Sequence, residues 1–255
     1  MKYLITFIIL FFLSCNSNVE KTAEQDSLQT TISDNDSWSN QFNSNKDFLT
    51  NLYFEKAIKI NTNGEVLEGQ NAIIEDWKKT NWKIKNTTEL KRVSTHKNTP
   101  YEYEIGEFKN SNNEIFKHLI IWNTKEKTKT RELEFIAKAE KHTSNKDKID
   151  QRRKEWMSIC NSHDAKKLVH ELYAENAIYY NHKPVVIGRD AITKEYSYMN
   201  KETYQLTLTP IHLEGVTENL AFEIGQCSGG YGGKYMIVWQ KDKTGKWYVL
   251  MDSNI

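Results

Sequence analysis

The residue best suited to acid–base chemistry in this chain of 255 residues is Asp252, in the last predicted strand. Its neighbours Val249, Leu250 and Met251 are apolar, and burial among such residues raises the pKa of a carboxyl group because desolvation disfavours the charged form. Together with a facing tyrosine, for which we choose Tyr179, such a group can remove a proton next to a carbonyl. Asp252 and Tyr179 are therefore the predicted catalytic pair if the protein is an enzyme.

Further polar residues on neighbouring predicted elements could supply hydrogen bonds to a ligand in the same pocket. They are Asn181, Tyr196, Tyr198, Gln226 and Asn254. A second interpretation stays open, in which Asp252 faces solvent or bonds the backbone and the tyrosines are core residues with satisfied hydroxyl groups. Strand residues alternate between two faces, and the sequence does not say which face is inside.

Other catalytic and cofactor motifs are incomplete. His170-Glu171 begins like a metalloprotease helix, but Ala174 stands where the second histidine ligand is required. The glycine-rich stretch before Lys234 lacks the first glycine of a phosphate-binding loop, and Tyr235 replaces its Ser or Thr. We therefore predict no metal site and no cofactor, and we interpret the glycines as a hairpin loop.

The charge balance argues against a nucleic-acid partner. The chain has 35 basic and 34 acidic residues, and no run of Lys and Arg is interleaved with aromatic residues.

The N-terminus predicts export. Met1-Lys2 precedes an apolar run from Tyr3 to Leu13, which is too short for the roughly 20 residues of a membrane-spanning helix. The following Ser14-Cys15 resembles the cleavage box of bacterial lipoproteins, so residues 1–15 are predicted as a signal peptide with a lipidated Cys15. That resemblance implies a cell-envelope protein held by its lipid at the outer membrane or periplasmic face. An ordinary cleaved signal peptide is the alternative.

Residues 16–37 are polar and predict a flexible linker, because too few apolar side chains are present to offset the entropy of ordering.

The rest of the chain is an internal duplication. Leu52-Tyr53-Phe54-Glu55-Lys56-Ala57-Ile58 returns as Leu172-Tyr173-Ala174-Glu175-Asn176-Ala177-Ile178, and Glu104-Ile105-Gly106 returns as Glu223-Ile224-Gly225. Such repeats decide the architecture before any motif is weighed. They predict a first domain over 38–141, a linker over 142–147 and a second domain over 148–255.

Each repeat predicts helices followed by strands. In the second repeat, apolar residues at helical spacing indicate a helix over 148–160, followed by a second helix, a short hairpin and a third helix from Arg189. Four strand candidates follow, the last at 247–254. This order is typical of an α+β fold in which three N-terminal helices cover a curved, mostly antiparallel sheet.

The motifs resemble the SnoaL-like branch of the nuclear transport factor 2-like superfamily. The resemblance is carried by Trp156, the turn after Cys160, the Leu172–Ile178 motif, Gly188-Arg189-Asp190-Ala191-Ile192, and the late Trp239 and Met251-Asp252. It implies two cone-shaped domains, each with a pocket between sheet and helices. The superfamily contains isomerases, dehydratases, cyclases and ligand binders, so fold does not select a function.

Three functions are consistent with the sequence. The first is binding of a small, mostly apolar ligand in the second-domain pocket without turnover; the second is a metal-free isomerase, dehydratase or cyclase using Asp252. The third is a non-catalytic assembly module, either a homodimer or a chain whose two domains pair through their sheets. This third function predicts a filled pocket and a large apolar interface.

Three further expectations concern the position of the site, the two cysteines and the tryptophans. The last strand of the second domain holds Asp252, whereas the first domain offers glutamates and no matching aspartate, so we place the site in the second domain. Cys160 and Cys227 could form a disulfide in an oxidising compartment. The alternative is that both are free thiols that pack in the core as small apolar residues. The tryptophans at 122, 156, 239 and 247 are expected to pack in the core.

Overall fold

The structure is a computed structural model, and it describes residues 33–96, 99–140, 146–230 and 232–255. The predicted signal peptide, Cys15 and most of the predicted linker over 16–37 lie outside the described residues. None of the helices in the described ranges is long and apolar enough to cross a membrane.

The first repeat begins with helix α1 and ends with strand β6. Its elements are α1 (Asp34–Ser44), a 3-10 helix (Lys46–Asn51), β1 (Tyr53–Asn61), β2 (Val66–Glu68), α2 (Gln70–Lys78), β3 (Ile84–Ser94), β4 (Tyr101–Asn110), β5 (Ile115–Asn123) and β6 (Thr130–Lys138).

The second repeat has the same order of elements. They are α3 (Lys146–Cys160), α4 (Ala165–Leu172), β7 (Tyr173–Tyr180), β8 (Val186–Ile187), α5 (Arg189–Glu195), a 3-10 helix (Tyr196–Asn200), β9 (Leu206–Thr217), β10 (Leu220–Gly229), β11 (Gly233–Lys241) and β12 (Trp247–Ser253).

Each repeat forms one mixed sheet of six strands. The strand orders are β2-β1-β6-β5-β4-β3 and β8-β7-β12-β11-β10-β9. The first long strand of each repeat pairs in parallel with the last, and the other pairs are antiparallel. The predicted α+β fold in two domains is thereby confirmed.

The glycine before each Ala-Ile pair has a backbone reason. Gly69 and Gly188 have φ values of 87° and 88°, a region that residues with a Cβ rarely adopt, and each precedes a helix. The duplicated Gly therefore marks the sharp entry from β2 into α2 and from β8 into α5.

The helices of each repeat cover one face of its own sheet. In the first repeat Trp38, Leu49 and Trp77 are buried with the inner residues of the sheet. In the second repeat Trp156, Leu168 and Ile192 have the same role. Each repeat therefore has its own helix-covered core.

The uncovered faces of the two sheets pack against each other. One apolar cluster joins Ile105, Leu119 and Phe135 of the first sheet to Phe222 and Met236 of the second. The rings of Phe135 and Phe222 meet at 5.7 Å between centroids. Burial of these apolar faces stabilises the pair in the way that a domain core does.

Candidate functional site

Asp252 lies on the inner, helix-covered side of β12 and is 3% exposed. Tyr173 donates a hydrogen bond to its Oδ2 at 2.8 Å, and Tyr196 donates a short one to the same atom. Burial raises the pKa of Asp252 to about 6, although the hydrogen bonds from Tyr196, Tyr173 and the Ser253 backbone oppose the shift. The interpretation in which Asp252 faces solvent is therefore wrong.

Both tyrosines act as donors because their own protons are held tightly. Burial and the charge of Asp252 raise the pKa values of Tyr173 and Tyr196 well above the ordinary value. Each hydroxyl group therefore stays protonated at neutral pH, and Asp252 is the group whose charge changes near pH 6.

Asp252 lines a small inner cavity of about 20 Å³. Apart from Asn254, the other lining residues are apolar or aromatic: Trp156, Tyr196, Met199, Tyr204, Leu206, Leu208, Cys227, Tyr235 and Ile237. This volume is close to that needed for one water molecule. Trp156 lines this cavity, and its indole Nε1 is buried without a hydrogen-bond partner among the described residues.

A wider vestibule of about 360 Å³ adjoins the inner cavity. It is lined by Tyr179, Tyr198, Lys201, Tyr204, Gly230 and Asn254, and it shares Tyr204 and Asn254 with the inner cavity. Tyr204 packs so closely on the glycine-rich loop that a Cβ on Gly230 would lie 2.6 Å from its ring. The loop glycine thus makes room for the tyrosine between the two spaces.

The predicted site residues divide between these two spaces. Tyr179 donates to Oδ1 of Asn254 at 2.8 Å, and Asn181 donates to the Tyr179 hydroxyl at 3.1 Å. These three form a chain at the vestibule, where Tyr198 is 36% exposed. The structure therefore brings Tyr196 to Asp252, and Tyr179 to Asn254 and Asn181.

Gln226 has a different role from the predicted one. Its side-chain amide donates to the backbone carbonyl groups of Cys227 at 2.8 Å and Gly233 at 2.6 Å. It therefore holds the hairpin between β10 and β11, and it lines neither the inner cavity nor the vestibule.

The first repeat does have a counterpart to Asp252, which corrects our expectation. Asp252 pairs in register with Tyr179 and Glu134 pairs in register with Lys59, at the same step of the two parallel ladders. Like Asp252, Glu134 is buried and receives a hydrogen bond from the tyrosine of the duplicated motif, Tyr53, at 2.5 Å. The sequence did not point to Glu134, because the expected counterpart was an aspartate.

Glu134 differs from Asp252 in having a cationic partner, Arg131, and a contact with a histidine, His118. Arg131 donates to it at 2.7 Å, and His118 Nδ1 lies 3.1 Å from the same oxygen. Burial alone would raise the pKa of Glu134, but Arg131, His118 and the Tyr53 hydroxyl hold it at about 2. This carboxyl group is therefore ionised and neutralised inside the first domain.

Among the described residues, Asp252 has no counterpart of Arg131 or His118, because two residues differ between the repeats. Val249 occupies the ladder position of Arg131, and Tyr235 occupies that of His118. Tyr235 turns to another carboxylate, donating to Glu223 at 2.6 Å. Arg153 also pairs with Glu223, at 2.8 Å from both of its donating nitrogens.

Cys160 and Cys227 are both free thiols in the second-domain core. Burial raises the pKa of each to about 12, so neither is a reactive thiolate at neutral pH. Across the residues that the structure describes, His, Cys, Asp and Glu side chains form no group of three that could hold a metal ion.

Sequence reasoning missed one hydrogen-bond donor to Asp252, Tyr173, and the role of one residue that lines the inner cavity, Trp156. Tyr173 was treated as a marker of the duplication, and Trp156 as a core ring. The repetition of the tyrosine as Tyr53 and Tyr173 was a usable signal, because both copies donate to the carboxylate of the last strand. Nothing in the sequence marked the unpartnered nitrogen of Trp156.

No protein-family model matches this chain, and no curated protein matches it. Solved structures are similar over less than half of its length. An NTF2-like protein of unknown function from Shewanella oneidensis is 16% identical with a TM-score of 0.39, covering 43% of this chain and 98% of its own.

Two further solved structures are similar over a comparable share. A ketosteroid isomerase-like protein from Erwinia carotovora is 15% identical with a TM-score of 0.36, covering 41% of this chain and 90% of its own. A domain of unknown function with a cystatin-like fold from Nostoc punctiforme is 13% identical with a TM-score of 0.37, covering 45% and 78%. The resemblance predicted from the sequence agrees with these descriptions, and the likeness is one of fold alone.

Proposed function

We propose that the second domain binds a small, mostly apolar ligand whose body occupies the vestibule and whose polar end reaches the inner cavity. The observation that carries this proposal is Asp252, a buried carboxyl group without a cationic partner among the described residues, in the same cavity wall as the unpartnered Trp156 Nε1. Buried polar groups without partners are costly, and ligands commonly satisfy them.

The dimensions of the two spaces support a ligand of this kind. The vestibule, at about 360 Å³, falls within the range of ordinary small-molecule pockets, whereas the inner cavity, at about 20 Å³, holds no more than a terminal group. A carbonyl or hydroxyl oxygen fits this end, since it accepts from Trp156 and from Asp252 in its protonated form. The apolar walls, including Leu206 and Ile237, suit the adjoining carbon atoms.

A thermal-shift screen of the soluble part of the chain, beginning near Ser33, tests this proposal. The screen contains carbonyl and hydroxyl compounds with apolar bodies, such as steroids, fatty acids and aromatic metabolites. A ligand at one hundred times its dissociation constant stabilises the folded state by about 2.7 kcal/mol. Failure of every compound to shift the transition would contradict the proposal.

Two tryptophans provide a matched test of the donor. Trp156 and Trp247 are both buried with an unpartnered Nε1, but Trp156 lines the inner cavity and Trp247 does not. Trp156→Phe should weaken a screened ligand at least tenfold, whereas Trp247→Phe should leave its affinity unchanged. Equal effects of the two substitutions would place the ligand elsewhere.

Acid–base catalysis at the same site is a second candidate, favoured by the pKa of about 6 at Asp252. A catalytic pKa near the working pH allows one group to accept and return a proton. In this case the Asp252 carboxylate would act on a ligand carbon next to a carbonyl, with Trp156 donating to the carbonyl oxygen. Turnover of a screened ligand that Asp252→Asn abolishes, while the circular dichroism spectrum is unchanged, would replace the binding proposal with the enzymatic one.

The assembly module is the third candidate, favoured by the small inner cavity and the apolar contact between the sheets. It predicts no ligand in the screen and a protein partner instead. Sedimentation of the soluble chain, which distinguishes a monomer from a homodimer, would be the next measurement in that case.

We further propose that the chain is exported and held at the cell envelope by a lipid on Cys15. The support is the sequence around Cys15 alone. Expression in a bacterium with radiolabelled palmitate should label the protein, and Cys15→Ser should abolish the label and release the chain from the membrane fraction. An unlabelled wild-type chain would exclude the lipid anchor.

A further inference from the structure

A separate cavity of about 540 Å³ lies between the two repeats. It shares no lining residue with the inner cavity around Asp252. The first repeat contributes Phe54, Glu55, Lys56, Ile58, Glu68, Gly69, Tyr101, Asn123, Lys125 and Glu132, and the second contributes Tyr180, His182, Lys183, Pro184 and Val185. We call this space the interdomain cleft.

A buried carboxylate, Glu132, is part of the cleft wall. It is 2% exposed and accepts hydrogen bonds from the Tyr180 hydroxyl at 2.8 Å and from Asn123 Nδ2 at 2.9 Å. Nδ1 of His182 makes a short contact with Oε1 of Glu132. Burial alone would raise the pKa of Glu132, but these contacts, led by His182, hold it below the ordinary value.

The contact with Glu132 fixes the orientation of His182. An ionised carboxylate only accepts hydrogen bonds, so the proton of this contact is on Nδ1 of His182. The ring is also held against Tyr101, with 4.1 Å between ring centroids. Nε2 makes no hydrogen bond with any residue that the structure describes, and in the neutral ring it is a hydrogen-bond acceptor.

The duplication shows that this polar cluster is not needed to join the sheets. The positions equivalent to Glu132, Tyr101 and Tyr180 are Leu250, Leu220 and Ile60, by strand register. All three equivalents are buried in the apolar cluster between the sheets. Apolar residues therefore fill one copy of this contact, while the other copy contains a buried carboxylate that costs desolvation energy and whose histidine partner is exposed at the cleft.

We propose that the interdomain cleft binds a small planar compound with a weakly acidic hydroxyl group, a phenol or an enol. The hydroxyl group donates to Nε2 of His182, whose opposite nitrogen is anchored by Glu132. The ring lies against the apolar part of the wall formed by Phe54, Pro184 and Val185.

Calorimetric titration of the soluble chain with 4-nitrophenol and with 4-nitroanisole, at a pH below the pKa of 4-nitrophenol so that its hydroxyl proton is retained, tests the recognition of the hydroxyl group. The two probes differ in a methyl group that removes the donor. We expect 4-nitrophenol to bind at least tenfold more tightly than 4-nitroanisole. Equal affinity, or no binding of 4-nitrophenol, would overturn the proposal.

Two substitutions test whether 4-nitrophenol binds in the cleft. Each introduces the residue found at the equivalent position of the other repeat. Glu132→Leu introduces the residue found at the equivalent Leu250, and His182→Thr introduces that of Thr62, the equivalent position in the first hairpin. Each should lower the affinity for 4-nitrophenol at least tenfold, while Thr62→Ala, outside the cleft, should leave this affinity unchanged. Unchanged affinity in Glu132→Leu and His182→Thr would place the probe elsewhere and overturn the proposal.

The stability of a combined variant separates a binding role from a structural one. The triple variant Glu132→Leu, Tyr180→Ile, His182→Thr removes the carboxylate together with two of its partners and copies Leu250, Ile60 and Thr62, so its urea midpoint should be equal to or above that of the wild type. A large fall in that midpoint would show that the cluster holds the domains together, and it would overturn the assignment of the cluster as a binding site.

Discussion

Glu134 in the first repeat and Asp252 in the second occupy the same step of equivalent strand ladders, yet their environments are opposite. Both are buried, and both receive a hydrogen bond from the tyrosine of the duplicated motif. Arg131 neutralises Glu134 and His118 contacts it, whereas the donors to Asp252 among the described residues are hydroxyl and backbone groups. The same position therefore has a pKa of about 2 in one repeat and about 6 in the other.

This difference shows how a duplicated fold separates stability from function. In the first repeat the carboxylate is part of a closed ionic network, which fills the space under α1. In the second repeat Val249 and Tyr235 stand at the positions of Arg131 and His118, and the carboxyl group faces a cavity instead. The second copy thus keeps a protonatable group whose charge is not committed to an internal ion pair.

The largest predicted effect is the loss of stability in Glu134→Gln. This substitution leaves the buried Arg131 without its counter-ion, which costs about 3–5 kcal/mol when one partner of a buried pair is removed. Urea denaturation at neutral pH measures the loss. Glu202→Gln, at an exposed position, is the control and should change stability by less than about 0.5 kcal/mol. Equal stability of the two variants would show that Glu134 does not stabilise the first domain as the counter-ion of Arg131.

Asp252→Asn should act in the opposite direction. A carboxyl group whose pKa is raised from 3.8 to about 6 stabilises the fold fully only below pH 4, and that contribution is lost as the pH rises through 6. The loss amounts to about 3 kcal/mol at pH 7.5, since one pKa unit is about 1.4 kcal/mol. The asparagine variant should therefore be more stable than the wild type at pH 7.5, with this advantage vanishing at pH 4.

Denaturation of both chains at these two pH values measures the effect. Asparagine still accepts hydrogen bonds from Tyr173 and Tyr196 through its side-chain carbonyl oxygen, so the tyrosine contacts are retained. A variant that is less stable than the wild type at pH 7.5 would show that the ionised Asp252 is stabilised by a partner, as Glu134 is.

Smaller effects are expected at the glycines that make room for His118 and Tyr235. A Cβ on Gly106 would lie 2.4 Å from Nε2 of His118, and one on Gly225 would lie 2.1 Å from the Tyr235 ring. Gly106→Ala and Gly225→Ala should each cost about 1–3 kcal/mol in urea denaturation, as overpacking does. Gly232→Ala is the control, because a Cβ at this position would have no described atom within 4 Å, its chain neighbours aside.

The two overpacked variants should also differ from each other. Gly106→Ala displaces a partner of Glu134 and should raise the pKa of that carboxyl group, whereas Gly225→Ala displaces Tyr235 from Glu223 and should leave the pKa of Asp252 near 6. A carbon-13 titration of the two carboxyl groups in each variant would detect the difference. Equal shifts would contradict the separate roles of His118 and Tyr235.

The fold could be predicted because the duplication repeats short, strongly patterned segments. Glu104-Ile105-Gly106 and Glu223-Ile224-Gly225 are in strands β4 and β10, and the two glycines before the third helices are at the same sharp turn. Local pattern decides such elements, so each copy supports the interpretation of the other.

The inner face of the last strand could not be predicted from alternation. The register shifts between Val249 and Met251, so Leu250 and Met251 both belong to the cluster between the sheets, while Val249 and Asp252 face the helices. A β-bulge of this kind inserts one residue and breaks the two-residue period. The contacts of Tyr173 and Trp156 depend on that bulge and on the packing of α3, neither of which the sequence pattern specifies.

The most direct test of this account is a carbon-13 NMR titration of the Asp252 and Glu134 carboxyl groups in the wild-type chain. We predict that Asp252 titrates with a pKa of about 6, whereas Glu134 stays ionised until the pH approaches about 2. A pKa for Asp252 at or below the ordinary 3.8 would contradict it, because the second-domain carboxyl group would then be as fully neutralised as its counterpart.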